Sequence, residues 1–226
     1  MGRVVLISDV QTPLGEELAR RYLAVGARVA ATRSNQDARE SPLASESDGF
    51  LLTDWNRRSA ISARNVLLAV LNHFGRIDEA VVLGTPAPER RQLHELAFDS
   101  IERGVDAWVK GSLFLVKGVL ETFGKNGGGR LALVHHALEE AGTALPPLEA
   151  SLRGAFRAMT QSLLDTHSQP EVFIHGFESF STQARDYAGF IVETMTERGG
   201  RAAGKWFRFQ PKGGFLAPLR GWKHSQ

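Results

Sequence analysis

The opening stretch of the chain limits its fold more than any other. Arg3 to Ser8 is a short β-branched run, too brief to show helical periodicity before the polar turn from Asp9 to Pro13. Leu14, Leu18, Tyr22 and Val25 then recur at intervals of three and four, which places them on one face of a helix. Gly26 follows as a C-cap, and Val29 to Thr32 begins a second strand. Strand, turn, helix, glycine and strand in so short a span form a βαβ unit, the module from which parallel sheets are built.

The same alternation continues. Phe50 to Thr53 reads as a third strand ending at Asp54, and Ala60 to Phe74 as a helix carrying Ile61, Val66 and Val70, capped by Gly75. Ile77 to Gly84 supplies a fourth strand and its exit. A short helix is expected near Ser100–Arg103, then a long one from about Gly104 to Thr122. Leu131 to Val134 is the fifth strand, ending in His135-His136. A helix over Glu149–Asp165, a strand over Glu171–His175, a helix over Asp186–Arg198 and a strand over Lys205–Phe209 complete the series. The pattern predicts one α/β domain over residues 1–226, a doubly wound and mostly parallel sheet of seven strands with helices on both faces.

Composition narrows the function classes. Hydrophobic residues at 42% and charged residues at 23% describe an ordinary globular chain. The absence of cysteine rules out disulfides and thiolate metal sites. Residues 1–8 lead straight into a strand, so no signal peptide and no membrane span are expected, and a cytoplasmic setting fits. The net charge is +2, with arginine and lysine interspersed with acids and only a mild basic drift near the tail. No nucleic-acid partner is expected from that distribution. His135-His136 lies near Glu139 and Glu140, but the spacing is not diagnostic of a metal, and none is expected.

Several phrases then resemble the short-chain dehydrogenase/reductase family, whose fold is Rossmann-like. That family's first turn carries T-G-x-x-x-G-x-G, which cradles a dinucleotide pyrophosphate; here the matching positions read Ser8, Asp9, Pro13 and Gly15. Its N-N-A-G after the fourth strand corresponds to Val82-Leu83-Gly84-Thr85. Its N-x-K-G helix phrase fits Val109-Lys110-Gly111, with Trp108 in the asparagine position. The family's serine, tyrosine and lysine fall on His136, Glu149 and Arg153. Independently of alignment, Tyr22 and Tyr187 are the only tyrosines and are followed four residues later by Gly26 and Ile191, so no Y-x-x-x-K exists. The Pro-Gly expected after the sixth strand is missing from Ile174 to Glu178.

By this resemblance, Gly15, Arg33, Asp54 and Gly84 stand at cofactor-binding positions. Arg33 would favour a 2′-phosphate, hence NADP(H) if any dinucleotide binds, or else is a solvent-exposed cation. Asp54 would contact adenine, or else cap the following helix. Trp108, His136, Glu149 and Arg153 stand at the catalytic positions. His136 with Glu149 could serve general acid/base work, while Glu149 with Arg153 could be a helix-surface ion pair.

With the phosphate turn and the tetrad both replaced, the expectation is a scaffold that binds no dinucleotide. It would serve as a non-catalytic subunit of an oligomeric oxidoreductase. Its partner would be a second copy or an active homologue, met through residues 104–123 and 149–165, where Leu113, Phe114, Phe156, Met159 and Leu163 lie beyond one core stripe. The alternative is an atypical NADP(H)-dependent oxidoreductase with non-standard catalytic residues.

Overall fold

The computed structural model describes residues 2–34, 49–136, 144–197 and 204–211. The strands are β1 (Val4–Ile7), β2 (Arg28–Ser34), β3 (Phe50–Trp55), β4 (Glu79–Leu83), β5 (Gly129–His136), β6 (Val172–Ser179) and β7 (Lys205–Phe209). The helices are α1 (Pro13–Ala24), α2 (Ala60–Phe74), α3 (Phe98–Val105), α4 (Gly111–Asn126), α5 (Pro147–Thr166) and α6 (Ala184–Glu197), with a π-helical turn at Asp106–Lys110 between α3 and α4.

All seven strands lie in one sheet in the order β3-β2-β1-β4-β5-β6-β7, and every neighbouring pair is parallel. Strand β1 shows why the sequence runs this way. Its four residues are all buried, so the strand is covered on both faces and reads as a continuous apolar run rather than an alternation. Val5 and Ile7 join Leu14, Leu18 and Tyr22 of α1 and Tyr187, Ile191 and Met195 of α6 on one face. Val4 and Leu6 join Val66 and Val70 of α2, Leu115 and Val119 of α4 and Phe156 of α5 on the other. Each such side chain removed from water contributes about 1.5–3 kcal/mol, and the two faces together set the register.

At the amino ends of the strands, fully buried Glu79 accepts the Tyr22 hydroxyl and lies 3.4 Å from Arg3 and 3.3 Å from Arg130. Burial raises its pKa, and the two arginines oppose that rise.

Four local expectations are corrected. Asp54 does not cap α2, because β3 runs on through Trp55 and Ser59 is the cap, its side chain accepting the Ser62 amide. The helix over residues 98–126 does not break at Gly104; it widens into the π turn instead. Strand β6 continues to Ser179, so Gly176, Phe177 and Glu178 pair with β7 rather than forming a loop, and the exit begins at Phe180. Phe156 is not an outer apolar position of α5, being 3% exposed and packed in the core.

Candidate functional site

Connections from β1 run toward β2 and β3, whereas β4 leads to β5, β6 and β7. The winding direction therefore reverses between β1 and β4, and in open parallel sheets the crevice beyond the strand ends at such a reversal is where ligands bind. Its first wall is the β1–α1 turn. Thr12 caps α1: its hydroxyl accepts the Gly15 amide at 3.0 Å and donates to the Asp9 carbonyl at 3.0 Å. Gly15 is pressed so closely on that carbonyl that a Cβ would collide with it. Pro13 brings no amide, and Glu16 sits in the first helical turn, so Thr12 and Glu16 already meet the positive end of α1.

Asp9 is the unusual member. Its φ is +63°, a left-handed conformation that favours glycine and that aspartate tolerates better than most residues. Thr32 accepts its amide at 3.0 Å, and its carboxylate pairs with Arg57 at 3.0 Å. The Arg57 guanidinium lies over two indoles, 4.2 Å from the Trp55 ring centre and 4.1 Å from that of Trp108. Burial lowers the pKa of this cation while Asp9 raises it. The backbone carbonyl of Arg57 also packs on Gly111, where a Cβ would collide. Residues from the β1–α1 turn, from β3 and the segment after it, and from the π turn thus close on one another beside the start of α1. Further out, Arg33 and Asp54, register partners on β2 and β3, are paired at 2.7 Å.

The second half of the crevice lies over β4, β5 and β6. Gly84, at the exit of β4, faces the Phe156 ring so closely that a Cβ would collide with it. His136 ends β5, and its Nε2–H donates to the Ser181 carbonyl at 2.7 Å. Its neighbour His135 donates Nε2–H to Thr160 Oγ1 at 3.1 Å, since the threonine hydroxyl is itself spent on the Phe156 carbonyl. Burial, then Arg157 and Arg153, hold the His135 pKa down to about 3. Burial chiefly lowers that of His136 as well. Both rings are therefore neutral near pH 7.

Glu149 is 4% exposed; it accepts from Arg153 one helical turn on and from the Glu89 backbone amide at 3.1 Å. The carboxylate of the pair is buried and the guanidinium partly so, rather than both lying on the helix surface, and Glu149 fastens the segment after β4 to α5. Glu149 and His136 take different partners, so the geometry does not assemble them as an acid/base pair. Trp108 stands in the π turn with its carbonyl accepting the Ser112 hydroxyl at 2.7 Å, and its ring serves Arg57. No group of three potential metal ligands occurs among the described residues. No helix among them is long and apolar enough to cross a membrane.

A family model for short chain dehydrogenases matches residues 3–182. The chain belongs to that family. Three solved structures are similar in fold. A 3-ketoacyl-(acyl-carrier-protein) reductase from Brucella melitensis, complexed with NADH, is 15% identical with a TM-score of 0.78. A Bacillus thuringiensis chain described as a 3-oxoacyl-reductase is 15% identical with a TM-score of 0.75. A Serratia marcescens short-chain dehydrogenase/reductase variant is 17% identical with a TM-score of 0.73. In each case 92% of this chain and 96% of the other are covered. No curated protein sequence matches the chain.

Within this member of the family, sequence reasoning missed Arg57 and the cluster formed by Arg157, Glu178 and Arg208. Asp9 was the available signal for Arg57. A carboxylate held in a buried turn requires a cation, and the β3 exit carries arginines at positions 57 and 58.

Proposed function

We propose that this chain is a short-chain dehydrogenase homologue with degenerate cofactor and catalytic sites, acting as a non-catalytic subunit of an oligomeric oxidoreductase. The observation that carries this reading is the Asp9–Arg57 pair held between Trp55 and Trp108. A pyrophosphate needs free amides and a positive helix end. At this turn it would meet a carboxylate, a proline and a helix start already capped by Thr12. The residues present do not fit the group. The tetrad positions by resemblance hold Trp108, His136, Glu149 and Arg153, and neither tyrosine of the chain is followed four residues on by a lysine.

Support for assembly comes from the outer face of α4 and α5. There a groove of about 580 Å³ is lined by Leu113, Val116, Leu120, Met159 and Leu163, with Lys117 and Glu121 at its rim. Leu113 is 49% exposed. An apolar groove with a charged rim suits a copy of the same face or that of a homologue.

A second reading, an atypical NADP(H)-dependent oxidoreductase, is favoured by a specific observation. Arg57 Nη1 is buried beside the turn without a hydrogen-bond partner, and Arg33 is the residue that the family resemblance would set toward a 2′-phosphate. One experiment separates the two: calorimetric titration with NADPH of wild type and Arg33→Ala, alongside light scattering. The preferred reading expects an oligomer and no heat of binding at about 1 mM nucleotide. Tight stoichiometric binding that weakens in Arg33→Ala would establish the second.

A further inference from the structure

We propose that the partner of this chain is a second copy of itself, packed antiparallel along the helix over residues 98–126, so that Phe98 of each copy enters the groove between α4 and α5 of the other. This arrangement rests on the assembly reading above and adds to it the partner and the register.

The helix carries the stripe that such a contact needs. Phe98, Val105, Leu113 and Leu120 follow one another at intervals of seven, eight and seven. Seven residues make about two helical turns, and the middle interval spans the π turn, which takes up one extra residue. The four therefore lie along one line. The first three are exposed, and Leu120 lines the groove. Helix α3 buries none of its residues, so its apolar side is left largely uncovered.

The two ends of the stripe are unlike, and each fits the other. At its start Phe98 is 89% exposed, the most exposed large apolar side chain among the described residues. At its end lies the groove of about 580 Å³, walled by Val116, Leu120, Met159 and Leu163. Ring and hollow cannot meet within one chain, because about 33 Å of helix separates Phe98 from Leu120. A two-fold axis midway between them turns the helices antiparallel and fills both hollows at once, and such an isologous contact closes as a dimer. A parallel arrangement would set Phe98 against Phe98 and leave both grooves open.

Charge favours the same direction. Ion pairs within the helix join Asp99 to Arg103, Asp106 to Lys110 and Lys117 to Glu121. Glu102 then remains near the ring and Lys125 at the groove. Antiparallel packing brings the acidic end of each helix to the basic end of the other.

The chain has no cysteine, so introduced thiols report without background. Glu102→Cys and Lys117→Cys stand at exposed positions about 22 Å apart along one helix, beyond the reach of a short bis-maleimide. The antiparallel register sets them side by side across the axis. A mixture of the two single variants should therefore give a cross-linked dimer, and either variant alone should give none. In sedimentation velocity on the full chain, Phe98→Ser should raise the dimer Kd by about a hundredfold or more, because a two-fold axis counts the loss twice. Ile61→Ser, at another exposed position on α2, should leave it unchanged. Thermal melts check that the variants fold as wild type does. A dimer that keeps its wild-type Kd in Phe98→Ser, or that links the unlike variants no better than the like ones, overturns this arrangement while the assembly reading stands. A wild-type chain that stays monomeric at about 100 µM overturns it too, and leaves an active homologue as the one partner that reading allows.

Discussion

The two halves of the crevice share one scaffold and differ in how far it is filled. Over β1 and β3 the chain supplies its own ligand set: a carboxylate from Asp9, a cation from Arg57 and two indoles around it. Charge there is cancelled inside the protein, and large side chains take the space. Over β5 and β6 the half-exposed Arg157 and Arg208 share Glu178, a helical glycine stands at the surface, and about 340 Å³ stays open. The contrast shows that a parallel-sheet crevice need not be kept or lost as a whole. The strand ends fix where it lies, and a few side chains at each end decide separately whether it is filled.

The largest effect expected is at the closed end. Arg57→Ala removes the partner of a largely buried carboxylate and two cation–ring contacts at once. Urea unfolding should show a loss of about 3–5 kcal/mol. Combined with Asp9→Asn, a double-mutant cycle should return a coupling of about 1–3 kcal/mol. A loss below about 1 kcal/mol, the level of an exposed pair, would mean that the closed end is not held in this way and would dissolve the contrast.

The open end is addressed through pH. His135 has its folded pKa held at about 3, below the ordinary 6.5, by burial and then by Arg157 and Arg153. A depressed folded value means that the unfolded chain binds the proton more tightly. The stabilisation is therefore complete above pH 6.5 and is lost as pH falls toward 3. Each tenfold difference in proton affinity between the two states is worth about 1.36 kcal/mol, so wild type should lose a few kcal/mol across that window. His135→Gln keeps a donor for Thr160 but does not titrate, so its stability should fall less steeply over the same range. Parallel acid limbs for the two proteins would show that burial and the neighbouring arginines do not hold the proton off His135.

How far the sequence disclosed these features follows from the range of each interaction. The strands and helices were legible because their signals are local: the apolar run of Val4–Ile7, the spacing of Leu14, Leu18 and Tyr22, and the glycines after α1 and α2. Asp9, Trp108, His136, Glu149 and Arg153 stood out in the sequence only as the residues at positions marked by the family resemblance. What they do was not legible, because their partners lie far along the chain. Asp9 meets Arg57 forty-eight residues on, and Glu149 meets the Glu89 amide sixty residues back. The β6 boundary was missed because His175 and Gly176 look like a turn. Only the pairing of Gly176 with Trp206, whose ring covers it, shows why glycine belongs in a strand there. The Arg157–Glu178–Arg208 cluster joins three elements, so no single stretch of sequence carries it.

The smallest effect expected concerns Gly154, and it tests whether the open end is kept open at a cost. Glycine inside a helix is less favourable than alanine by about 0.8–1.0 kcal/mol, because the unfolded chain loses more freedom when it is fixed. Most helical glycines repay this by letting something approach closely, as Gly118 does for Leu67 and Gly111 for the Arg57 carbonyl. Gly154 has no such neighbour within 4 Å. Gly154→Ala should therefore stabilise the protein by nearly the full difference, read as a rise in the urea midpoint at unchanged slope. A gain of that size would show that the bare wall of the cavity is a departure from the best helix. No gain, or a loss, would mean that a methyl group meets resistance there, and that the two ends of the crevice differ less in packing than the open volume implies.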